Sequence, residues 1–147
     1  MKLLDQRETI MIVVGASLGP DAPDRHAAEA LRQEIDRRGL GSLYRRAVLV
    51  TDDAWFESEL LHQAPTIAVG GPGVNSVSEE FAGQLLTVWT SEERVVVQID
   101  QGPAGRRALL WGVDAAATAE AVAAFVERGW LSEFLTNRWV VVDQSFA

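Results

Sequence analysis

Cysteine is absent from this chain of 147 residues. That excludes a thiol nucleophile, a disulfide, an iron–sulfur cluster and a cysteine-ligated zinc site. Lysine occurs once, as Lys2, which removes a Schiff-base lysine and the lysine of a P-loop. The two histidines, His26 and His62, are too few for a multi-histidine metal centre. The longest apolar run, around residues 10–14, falls far short of the ~20 residues that a membrane-spanning helix needs. Positive charge is also scarce: the net charge is −8 and the pI about 4.7. A broad basic face for a phosphate backbone is therefore not expected, and neither nucleic acid nor a membrane surface is an expected partner. The first eight residues, MKLLDQRE, are charged where a signal peptide needs an apolar stretch, so the expected location is cytoplasmic.

What is present is the balance of a globular protein, 48% hydrophobic and 23% charged. The length suits a single α/β domain over residues 1–147 with a core that needs no staples. Residues 9–16 carry a β-branched, uniformly apolar run, the pattern of a strand buried on both faces. After a long loop, Ala27, Leu31 and Ile35 share one face of a helix expected over 24–38, with Gly39 placed to end it. A second strand is read at 47–50, followed by a short helix capped by Asp52 or Asp53 and running to about His62. The third strand, 66–69, opens into a glycine-rich loop. Ser76 and Glu79 have capping-box spacing for a helix over 77–85.

Beyond this point the pattern changes. Residues 86–89 and 95–99 flank a polar turn and read as a hairpin. A strand at 108–111, an alanine-rich helix from Asp114 to Arg128, a helical turn at 131–135 and an edge strand at 139–142 complete the chain. Strands alternating with helices predict a three-layer, Rossmann-like α/β domain. Its sheet is expected to be mainly parallel, of five or six strands, with an antiparallel hairpin possible at one edge.

In such sheets ligands sit outside the carboxyl ends of the strands. Three loops should meet there, and they offer Ser17, Asp52, Asp53, Gly71, Gly73 and Asn75 as candidate ligand-binding residues. Backbone N–H groups of the glycine loop and the carboxylates would suit a small anionic ligand, or a hydroxyl or metal at the aspartates. The plainer reading makes Asn75 or Ser76 a helix cap and the Asp52–Asp53 pair a cap with a solvated neighbour. No catalytic residue and no metal ligand is assigned. Residues 15–19 match G-x-S-x-G, but Pro20 and Pro23 stand where the nucleophile elbow needs a helix, and no histidine follows in triad order. Neither G-x-G-x-x-G nor a Walker loop is present, so the sequence designates no cofactor.

The stretch Ile67-Ala68-Val69-Gly70-Gly71-Pro72-Gly73-Val74-Asn75 resembles the I-x-V-G-G-P-x-x-N segment of Rossmann-like modules in archaeal surface-layer proteins. Gly112, Asp114, Thr118 and Ala121 are similar in spacing to the G-x-D-x-x-x-T-x-x-A segment of those modules and of cell-wall-binding repeats. About a third of the chain is covered. The resemblance implies a non-catalytic module whose glycine loop and Asp–Thr pair serve structure or attachment.

Five tryptophans are many for this length: Trp55, Trp89, Trp111, Trp130 and Trp139. Trp89, Trp130 and Trp139 suit either the core or the seal of a homodimer across exposed strand edges. The leading expectation is thus a non-catalytic binding or assembly module that self-associates. The alternative is a small enzyme, or a binder of nucleotides or phosphate ligands, using the carboxyl-edge crevice.

Overall fold

The structure, a computed structural model, describes residues 5, 7–16, 23–100, 107–136 and 139. The apolar run forms β1 (Ile10–Val14), buried along its whole length. Helix α1 (Pro23–Arg38) leads to β2 (Ala47–Thr51). The short helix expected next is two helices, α2 (Asp52–Glu57) and α3 (Glu59–His62), broken at the extended Ser58. Strand β3 (Thr66–Val69) precedes α4 (Ser76–Ala82). The hairpin is β4 (Leu86–Ser91) with β5 (Val95–Ile99), and it is followed by β6 (Arg107–Gly112), α5 (Ala115–Glu127) and α6 (Trp130–Thr136).

These strands form one sheet in the order β2-β1-β3-β6-β5-β4. The pairings β2·β1, β1·β3 and β3·β6 are parallel, whereas β6·β5 and β5·β4 are antiparallel. The class is α/β and the hairpin lies at one edge, but the sheet is mixed rather than mainly parallel. The reason is connectivity: β5 joins β4 through a tight turn, which forces an antiparallel pair, and then lies directly against β6. Glu92 and Glu93 both take positive φ, 53° and 57°, as the central residues of a type I′ turn require, without the Asn-Gly pair that usually marks it.

Alternation along β1 divides the core. Ile10, Ile12 and Val14 pack with Leu31 and Ile35 of α1, with Ala121 and Phe125 of α5 and with Leu131 of α6. Val13 faces the other way, toward Trp55 of α2 and Val77 and Phe81 of α4. The sheet is therefore covered by helices on both faces. Of the C-terminal strand read at 139–142, residues 140–142 lie outside the described residues. Trp139 itself occupies a bend, is buried in the first cluster, and donates its indole N–H to the Glu8 carbonyl at 2.6 Å.

Candidate functional site

Because β2, β1, β3 and β6 run parallel, their following segments emerge at the same edge of the sheet. The chain passes from β1 to β2 on one side, then crosses to β3 on the other, so the strand order reverses between β1 and β3. This is the position at which doubly wound sheets bind ligands. Of the candidate residues, Ser17 lies outside the described residues.

Asp52, the first residue of α2, is only 7% exposed. Its Oδ1 accepts from Ala16 N and Asp53 N, both at 2.9 Å, and its Oδ2 accepts from Ser76 N at 2.8 Å. One carboxylate thus ties the end of β1 to the start of α4. Burial raises the Asp52 carboxyl, but the N–H groups of Ser76, Ala16 and Asp53 and the Ser76 hydroxyl together outweigh it. They hold the group below the usual carboxylate range.

Asn75 is the N-cap of α4, and its side chain is buried. Oδ1 accepts from Val77 N at 3.0 Å and Ser78 N at 3.3 Å. Nδ2 donates to Val13 O at 3.0 Å and Val69 O at 3.1 Å, the last carbonyls but one of β1 and the last of β3. All four hydrogen-bonding positions of the amide are filled by the chain's own backbone. The capping-box reading of Ser76 is displaced by one residue, since Asn75 caps and Ser76 N is held by Asp52.

Asp53 is exposed and accepts from the Thr51 hydroxyl and from Ala54 N, so it secures the first turn of α2. Gly71 is half-buried and its carbonyl accepts from Val74 N and Asn75 N, each at 3.1 Å. Gly73 is exposed with open space around it and does not use the left-handed region. Positive φ in this loop belongs to Gly70, at 112°. Gly15 is needed for a different reason: a Cβ there would stand 1.9 Å from the Val74 carbonyl oxygen, because the loops after β1 and β3 touch.

The same edge holds a carboxylate that is not among the candidate residues. Asp24 in the first turn of α1 reaches toward Gly70, and its Oδ2 would lie 3.3 Å from a Cβ built there. Burial pushes the Asp24 carboxyl above its usual range, and a hydrogen bond from Thr118 only partly offsets this. The Thr118 hydroxyl oxygen also accepts from Gly112 N at 3.1 Å. Asp114 caps α5 through Ala117 N at 2.8 Å. Asp24 meets Thr118 only because α1 packs against α5, and no local spacing announces that contact.

The histidines lie elsewhere. His26 is exposed, and His62 stacks on Trp55 with ring centroids 3.9 Å apart while its Nε2 donates to the Trp55 carbonyl at 2.7 Å. Among the described residues no three His, Asp or Glu side chains converge as a metal site. Trp55 is fully buried, and Trp89 packs against Trp130 with Arg128 4.7 Å above its ring. No helix among the described residues is long and apolar enough to cross a membrane. No protein-family model matches the chain, and no curated protein matches it either.

Proposed function

We propose that this chain is a non-catalytic binding or assembly module of Rossmann-like organisation, cytoplasmic and self-associating. The observation that carries the reading is the hydrogen-bond state of Asp52 and Asn75. Both are buried at the carboxyl edge and are engaged by backbone N–H and C=O groups at the ends of β1 and β3 and the start of α4, so they act as a clamp between loops. A carboxylate seated on the Ser76 N–H, with the Asn75 amide oxygen on the next two N–H groups of α4, occupies the place that a ligand's phosphate would take. The resemblance to surface-layer modules supports the same reading: Asn75 and Asp114, two residues of the shared segments, are both helix caps here.

The competing reading, a small enzyme or a binder of nucleotides or other phosphate ligands, has one observation in its favour. Asp24 is a partly buried carboxylate at the switch point, held above its usual range. A thermal-shift screen of nucleotides, sugar phosphates and divalent ions separates the two. A ligand at 100 times its Kd would add about 2.7 kcal/mol of stability. The module reading expects no shift from any of these classes, and a shift abolished by Asp24→Ala would replace it with the competing one.

A further inference from the structure

We infer that the outer edge of β2 is the self-association surface, and that two copies join there antiparallel about a twofold axis through Leu49. The inference rests on the assembly reading above and names its partner, a second copy of this chain. β2 ends the sheet, and four of its five residues are half-buried where every residue of β1 is buried. Its pairing with β1 fixes which backbone groups face outward. Ile10 N donates to Arg46 O while Ile10 stands opposite Ala47, so Ala47, Leu49 and Thr51 turn their N–H and C=O groups away from β1.

Two of those six outward groups are already used. Ala47 N donates to Asp36 Oδ1 at 2.8 Å, and the Thr51 carbonyl, as N-cap, takes the first hydrogen bond of α2. Ala47 C=O, Leu49 N–H, Leu49 C=O and Thr51 N–H have no partner among the described residues. This remaining set is self-complementary. About a twofold axis at Leu49, each Leu49 N–H meets the partner's Leu49 carbonyl, and each Thr51 N–H meets the partner's Ala47 carbonyl. The two groups consumed within the chain are the very pair that would otherwise have faced each other.

Charge agrees with this register. Arg45 and Arg46 precede the strand and Asp52 and Asp53 follow it, with no charge between. The antiparallel arrangement brings the end of β2 that carries Arg45 to the end of the partner's strand that carries the exposed Asp53. A parallel one would oppose like charges. The other outer edge, β4, is less suited, because its pairing shifts register between Thr87 and Trp89, a bulge that bends the edge.

Sedimentation equilibrium on the full chain should give a mass twice 16.0 kDa at micromolar concentration. Thr51→Pro is the sharpest variant. Thr51 has φ −83°, which proline accepts, and its N–H has no partner among the described residues. The circular dichroism spectrum should stay unchanged while dimer affinity falls about tenfold or more. Leu49→Cys gives a second reading. With no other cysteine present, a short bifunctional thiol reagent should yield a covalent dimer, since each Leu49 stands directly opposite its own copy, with Cα atoms about 5.5 Å apart. A dimer that survives Thr51→Pro at full affinity overturns the inference and leaves the assembly reading standing. A chain monomeric at every concentration overturns both. A monomer whose Leu49 and Thr51 amides resist hydrogen exchange assigns the edge to another segment of the same chain, such as residues 140–147, and also overturns the inference.

Discussion

The Asp52 carboxylate accepts the backbone N–H of Ser76 at 2.8 Å, so the first residue of one helix caps the start of another across the carboxyl edge of the sheet. Hydrogen bonds to a charged acceptor are worth about 1.5–3 kcal/mol each, more than neutral ones. Asp52→Asn turns an N–H₂ group toward one of the three amides and removes the charge from the others. Urea unfolding should show a loss of about 2 kcal/mol. Asp53→Asn, at an exposed position where asparagine caps as well, should stay within about 0.5 kcal/mol of the parent.

The pH dependence follows from two aspartates shifted in opposite directions. Asp52 is held below the usual range, so its contribution is complete above the unfolded value of about 3.9 and is lost as pH falls through the lower folded value. Asp24 is raised, so the folded state favours its protonated form. Stability from that group is complete below the unfolded value and is lost as pH rises through the raised one. Melting curves taken between about pH 3 and about pH 7 should therefore show Asp24→Asn gaining stability toward neutrality and nothing at the acid end. Asp52→Asn should show the reverse, its deficit shrinking with acid.

Asn75 discriminates between a cap and a clamp. Asn75→Ala uncaps the Val77 and Ser78 amides and takes the Nδ2 donor from the Val13 and Val69 carbonyls, and should cost about 3 kcal/mol. Asn75→Asp preserves the cap but aims a carboxylate oxygen at the Val13 and Val69 carbonyls. At neutral pH it should be the less stable variant of the two. Acidification should restore part of the loss, as the protonated acid regains a donor. A neutral-pH Asn75→Asp variant as stable as the parent would show that the two carbonyl contacts carry no weight.

Much of this was legible from local pattern. The uniform apolar run named β1, the residues of β3 were read to their ends, and Asn75 was recognised as a possible cap because a short polar side chain before a helix has few other uses. The boundary between α2 and α3 was not legible, since nothing in the sequence marks Ser58 as extended. Nor was the type I′ turn, because glutamate seldom accepts positive φ. The strand order and the Asp24–Thr118 contact depend on how distant segments pack, and periodicity carries no information about that. That the segments after β1, β2 and β3 share one edge of the sheet was thus legible, but which of their polar groups face inward required the assembled loops.

Two glycines should separate close approach from open loop. Gly15→Ala puts a methyl group where the Val74 carbonyl stands and should destabilise the fold by several kcal/mol or prevent it, on the order of other overpacked core positions. Gly73→Val meets open space and should change stability by no more than about 0.5 kcal/mol. Equal tolerance of both changes would mean that the loops after β1 and β3 do not touch.

Asp52 and Asn75 close the carboxyl edge from within the chain, and the amides of Ala16, Ser76, Val77 and Ser78 report on it directly. In a nitrogen–proton correlation spectrum these four amides should be protected from exchange. They should keep their positions when magnesium and a nucleoside triphosphate are added to millimolar concentration. Displacement of the Ala16 and Ser76 resonances with saturation, together with loss of their protection, would mean that a ligand takes the place of Asp52 and that the edge is an open binding site.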